Sequence, residues 1–228
     1  MSRLSEDLAG NLVNANRESP QYRNAADELT HPRRRFLLRI ARSGIASGLA
    51  GEPLPDSPTA LLSVLTSPTG SPAQAAPVSW PGLVEHRGVF TTLYLQGQLR
   101  GCVGYALPIQ PLYRAVGETA RAAAFEDTRF RPLTPEEAPG LKISLSVLSP
   151  LFPIAPGEVE VGRHGLLISD GVRRGLLLPQ VPVEHSWDRE TFLAQTCRKA
   201  GLPEDAWQKS TTIEAFTAEI FGDDDVPE

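Results

Sequence analysis

Two strand-forming runs stand almost back to back in this chain and oblige it to double on itself. VFTTLYL (Val89 to Leu95) and LRGCVGY (Leu99 to Tyr105) are separated only by Gln96-Gly97-Gln98. A turn this short, with a glycine in it, between two β-branched and aromatic runs is a β-hairpin signal. The second run holds Cys102 between glycines, with Arg100 two residues before it and Tyr105 three after. Packing alone does not ask for that combination. Glycines allow close approach of another group and unusual backbone angles, which puts Cys102 on a bend or rim. Two readings stay open for it, a reactive site and a small buried hydrophobe.

The chain downstream reads as an alternation of helices and short strands. In QPLYRAVGETARAAAFED, residues Leu112, Ala115, Val116, Thr119, Ala120, Ala123 and Ala124 recur at helical spacing after Pro111, which predicts a helix with one apolar face. An irregular stretch with Asp127, Arg129 and Arg131 follows, then Thr134-Pro135-Glu136-Glu137, a capping-box pattern, and a strand over Leu141 to Leu148. Val159 to Val161, Gly165 to Ile168 and Gly175 to Leu178 read as further strands joined by turns at Gly162-Arg163-His164 and Ser169-Asp170-Gly171, so this part of the sheet is expected to be antiparallel. Pro179-Gln180-Val181-Pro182 must leave the sheet, because proline cannot donate to a ladder. Asp188 is placed to cap a helix carrying Phe192, Leu193, Thr196, Cys197 and Ala200 and ending at Gly201. Cys197 falls on its apolar face and is assigned to the core. A last β-branched and aromatic run, Thr211 to Phe221, predicts one strand, and the acidic residues 223–228 a frayed tail.

Upstream of the hairpin the reading is of decoration around one domain. Residues 1–30 are polar without apolar periodicity, a pattern expected of a disordered extension. In HPRRRFLLRIARSGIASGLAG the three arginines before Phe36 superficially resemble a twin-arginine export signal. Arg39 and Arg42 interrupt any export core and recur opposite Phe36, Leu37, Ile40, Ala41 and Ile45, so the segment predicts an amphipathic helix. Residues 51–80 hold six prolines among Ser, Thr and Ala and predict a surface loop whose Leu61 to Leu65 island can dock on the core. The domain proper is expected to run over 31–222. A formal charge of -5 gives no basic field, so nucleic acid is not expected as a partner. No run reaches membrane-spanning length, and two cysteines far apart make neither a disulfide framework nor a metal pair. The cytoplasm is the expected compartment.

The succession LRGCVGY, AAAFEDTRF, LKISLSVLSP, GRHGLLI, GLLLPQV and SWDRETFLAQTCRKAGLP resembles the AMMECR-type domain family, the A component of the AmmeMemoRadiSam system. The resemblance runs from about His31 to Phe221. It implies an α+β fold, with a mixed, largely antiparallel sheet, packed helices and two closely joined subdomains. It also implies partnership with a Memo-like protein and a radical-SAM protein, and it specifies neither a reaction nor a cofactor. The residues most characteristic of the family fall on Arg100, Gly101, Cys102 and Gly104, on Asp127, Arg129 and Phe130, on His164 and Gly165, and on Pro179 and Gln180.

Two function classes follow. In the first, an enzyme acts on a small molecule or a partner, with Cys102 as nucleophile, His164 as general acid/base and Asp127 as its orienter. Arg100, Gly101, Gly104, Arg129 and Gln180 then bind substrate, and a neighbouring cation lowers the thiol pKa. In the second, the same groups form a non-catalytic binding or adaptor site for a peptide or metabolite. Each polar group also has a structural alternative: Asp127 and Arg129 can simply pair, His164 can brace its turn, and Gln180 can satisfy a neighbouring strand. A metal held by His164 and Cys102 lacks the local ligand spacing of a metal site, and none is expected.

Overall fold

The structure is a computed structural model that describes residues 29–55, 57, 60–61, 81–209 and 211–226. Residues 1–28 of the expected extension and most of the Pro-rich loop therefore lie outside the described residues, while Leu29, which falls within that extension, is buried in a hydrophobic core. Two compact units result. Among described residues the first takes in 29–147 and 220–226, and the second 148–219.

The first unit contains α1 (His31–Ala50), β1 (Val89–Leu95), β2 (Gln98–Tyr105), α2 (Leu112–Phe125), β3 (Leu141–Leu148) and the end of β8 (Ala218–Gly222). Its sheet has the order β2-β1-β3-β8, and β1 pairs antiparallel with both β2 and β3. The predicted hairpin, both helices and the strand from Leu141 form where the periodicity places them. α1 buries Phe36, Leu37, Leu38, Ile40, Ala41 and Ile45, in one apolar core with the inward residues of α2, β1 and β3. The two helices cross closely, since a Cβ on Gly44 would strike the Gly117 carbonyl oxygen. Leu61, the described residue of the apolar island, is buried in that core. Arg42 pairs with Asp223 at 2.7 Å.

The second unit contains β4 (Phe152–Pro153), β5 (Gly165–Ser169), β6 (Arg174–Leu177), α3 (Gln180–Glu184), α4 (Arg189–Lys199) and β7 (Thr212–Phe216). Its sheet has the order β4-β7-β5-β6, all pairings antiparallel. Asp188 caps α4 by accepting from the Thr191 N–H at 2.8 Å. Cys197 is fully buried with Phe192, Leu166, Ile168 and Ala215, as its place on the apolar helix face requires.

Three local expectations are corrected. Val159 to Val161 is not a strand, because Pro156–Glu158 forms a single 3-10 turn with Glu158 accepting from the Ala155 N–H, and the next turn begins at Glu160. The run from Thr211 is two strands in two different sheets, broken at Thr217, whose N–H and C=O are both taken by Ser149. Residues 223–226 do not fray, and the last two residues of the expected tail lie outside the described residues. Asp223 accepts from the Ile143 N–H at 2.7 Å, Asp225 accepts from the Gly222 N–H at 2.9 Å, and Val226 is buried.

Candidate functional site

The geometry around Cys102 begins with a β-bulge. Past the turn, where Gln96 and Gly97 both have positive φ, the register runs Leu95↔Gln98 and Tyr94↔Leu99. It then slips by one, so that Leu93 faces Gly101 and Thr92 faces Cys102, with Arg100 as the extra residue. A slip of one residue exchanges the two faces of a strand. It turns Gly101 toward α2, where a Cβ would collide with the Ala123 carbonyl oxygen, so only glycine fits. Cys102 takes the opposite face beside Thr92, and the two side chains share a hydrogen bond of 3.3 Å. Gly104 lies beyond, under the Phe90 ring.

β2 is an edge strand, and the chain after α2 closes that edge. The Cys102 N–H donates to Asp127 Oδ2 at 2.9 Å, and the Cys102 carbonyl accepts from Arg129 Nη2 at 3.4 Å. Arg129 in turn grips Asp127 through Nε (2.9 Å), Nη2 (2.7 Å) and its own N–H (3.2 Å). The carboxylate and guanidinium together occupy the two backbone groups that a neighbouring strand would take. Arg100 reaches the same segment, donating from Nε and Nη2 to the two Glu137 carboxylate oxygens at 3.0 and 2.9 Å. Its Nη1 is buried without a hydrogen-bond partner among the described residues.

Electrostatics follow from this packing. Cys102 is 8% exposed, and burial pushes its thiol pKa up, against the opposing pull of the Thr92 hydrogen bond and the Arg129 charge, with Asp127 adding to the rise. Burial thus outweighs the lowering that a neighbouring cation supplies in the enzymatic alternative. Burial also acts to raise the Asp127 pKa, but the bonds from Arg129 and from the Cys102 N–H outweigh it and hold the carboxyl below its usual range.

His164 and Gln180 belong to the second unit and have their own surroundings. His164 Nδ1 accepts the Glu160 N–H at 3.1 Å, and its ring meets Phe152 edge-on at 5.9 Å. Burial lowers its pKa, with Arg163 adding to the fall and Glu160 opposing it. Gln180 opens α3 and is 7% exposed. The Asp127 carboxylate, expected to orient His164, is engaged by Cys102 and Arg129.

A model of the family described as AMMECR1 matches residues 38–221. The chain belongs to the AMMECR1 family. It is 44% identical over 202 residues to a protein of Thermococcus gammatolerans, covering 82% of this chain and 88% of the relative. Protein TK0174 of Thermococcus kodakarensis is 43% identical with the same coverage. The crystal structure of PH0010 from Pyrococcus horikoshii, described as uncharacterized, is similar at a TM-score of 0.54 and 40% identity, over 84% of this chain and 91% of that one.

Within this AMMECR1 domain, sequence reasoning missed Thr92, Glu137 and Glu160. Glu160 lies one turn before His164, a spacing that does hint at their contact. Thr92 carries no such signal, because counting back from the turn without the bulge sets Gly101 opposite it. Among the described residues no group of three or more His, Cys, Asp or Glu side chains is placed to hold a metal ion, and none contributes a membrane-length apolar helix.

Proposed function

We propose that this AMMECR1 chain is a binding module that engages its partner or a small-molecule ligand through the surface built on the Arg100–Gly104 strand and the Asp127–Arg129 clamp. In this reading Cys102 serves as a protonated, hydrogen-bonding thiol and not as a nucleophile. The carrying observation is the clamp itself: the N–H, the C=O and the thiol of Cys102 are all engaged, and burial holds the proton on sulfur. A nucleophilic cysteine needs the opposite, an accessible thiolate favoured by its neighbours. The Memo-like and radical-SAM proteins implied by the family resemblance are the partners of this reading, and the cytoplasm is its compartment, since Arg39 and Arg42 break the apolar run behind the arginine triplet.

Iodoacetamide alkylation measured against pH on the native chain, with Cys102→Ser and Cys197→Ser variants to separate the thiols, is the test. Cys102 is expected to react more slowly than a free cysteine, with a midpoint above the free-thiol value of about 8.5. Faster alkylation than a free thiol at neutral pH would restore the enzymatic reading. Co-purification with the Memo-like protein should survive Cys102→Ser and weaken on Arg100→Ala, and loss of the complex with Cys102→Ser alone would count against an adaptor role.

A further inference from the structure

The second unit carries a pair of polar residues whose burial the fold leaves unexplained. His164 is 6% exposed and Gln180 is 7% exposed. The only side-chain hydrogen bond His164 makes to a described residue is the one at Nδ1, from the Glu160 N–H. Gln180 makes none through its amide to the described residues. Buried polar groups are ordinarily satisfied, and each exception asks for a reason. Each of the two residues keeps a small share of its surface open to solvent.

The topology brings the two residues to one end of the sheet. β5 and β6 pair through Leu166↔Leu177. Two residues further along each strand the chain reaches His164 on one side and Pro179 on the other, and Gln180 follows. α3 lies against the same turn, because a Cβ on Gly162 would come within 3.1 Å of Val183. The Phe152 ring closes the neighbourhood at 5.9 Å from the imidazole.

The chemistry of the pair is narrow. A histidine whose Nδ1 accepts a backbone N–H carries its proton on Nε2, so it offers a fixed donor. Protonating the ring would set a second N–H against the Glu160 N–H, which keeps the imidazole neutral. The glutamine amide supplies one acceptor and two donors. The cationic side chains of this turn are engaged elsewhere, Arg163 by the Glu160 carboxylate at 3.1 Å and Arg189 by the Val159 carbonyl at 2.7 Å. A carboxylate ligand would meet donors but no available charge, and it would leave the glutamine acceptor unused. A neutral amide uses both, its C=O accepting from His164 Nε2 and its N–H donating to Gln180 Oε1.

We propose that His164 and Gln180, beside the Phe152 ring, form a recognition site for a neutral amide, such as the backbone amide of an extended peptide segment. This site lies wholly in the second unit and does not rest on the role given to Cys102. The test is an NMR titration of the full chain with N-acetylglycine methylamide, reading the His164 imidazole and the Gln180 side-chain NH2 resonances, with sodium acetate at matched ionic strength as the competing probe. Saturable shifts of both residues with the amide, and at least a tenfold weaker response to acetate, are expected. Gln180→Leu, which keeps shape and removes polarity, should abolish the His164 response while the amide spectrum of the first unit stays unchanged. His164→Phe should do the same to the Gln180 resonances. Absence of a saturable shift in the unmodified chain, an acetate response as strong as that to the amide, or an unchanged His164 response in Gln180→Leu would overturn the proposal.

Discussion

Asp127 concentrates more of this protein's interactions than any other single carboxylate around Cys102. It accepts from the Cys102 N–H and from three groups of Arg129 while only 7% of its side chain is exposed. Because its pKa is lowered in the folded state, it contributes stability that is complete above the unfolded value near 4 and disappears as pH falls through the folded value. Asp127→Asn should therefore cost about 1–2 kcal/mol at pH 7, the range for a charge-assisted hydrogen bond discounted for the solvent open to Arg129. That cost should shrink toward zero in strong acid, and urea midpoints of both proteins across pH 2 to 7 would check it. A cost independent of pH would mean that the carboxylate charge is not what holds the edge of β2. Arg129→Ala leaves the same carboxylate buried and unpaired, and should be at least as damaging at pH 7 by the same measurement.

At the scale of elements, the bulge at Arg100 decides which face of β2 meets the helix. Gly101→Ala should destabilise the chain by about 2–3 kcal/mol, the upper part of the overpacking range, because the colliding atom belongs to the backbone of α2 and cannot rotate away. Thermal unfolding of this variant, with Gly157→Ala as a control where a Cβ meets open space, would show it. The turn between β5 and β6 gives a second measurable consequence. The Arg173 and Val172 N–H groups and the Arg173 guanidinium hold the Asp170 pKa down at about 2, so its carboxyl resonance should titrate far below that of an ordinary aspartate. What the sequence revealed at this scale was local chemistry. The Gln96-Gly97 turn, the apolar face of α2 and the Asp188 cap each depend on neighbours within a few residues, and all three form as read. The bulge was invisible because no residue type announces it. The split at Thr217 was hidden because the β-branched run is continuous across it, and Ser149, sixty-eight residues away, supplies the bonds that separate β7 from β8. The candidate site was legible only as a set of residues: Cys102, Asp127 and Arg129 do converge, but their geometry depends on a contact across twenty-five residues that fixes an edge strand.

At the scale of the whole molecule, the second unit is, among the described residues, a single insertion between two strands of the first. The chain leaves after β3 and returns in β8, and these are neighbours in one sheet. Phe221 and Val226 then complete the first core, while Asp223 ties Arg42 to the Ile143 N–H. Ending the chain at Thr217 should therefore abolish cooperative unfolding of the first unit, followed by circular dichroism, although all of α1 to β3 is retained; a sharp transition in the truncated chain would contradict this. The order has a further meaning on the ribosome. Residues are made from the N-terminus onward, and domains generally fold as units as they emerge. Here the strand that covers β3 is synthesised only after the inserted unit, so the part of the first unit made before it waits with an open sheet edge while residues 148–219 are translated. Among the described residues the inserted unit has its strands and its core within 148–219 and can close first, which reverses the usual sequence in which an N-terminal domain finishes before its neighbour.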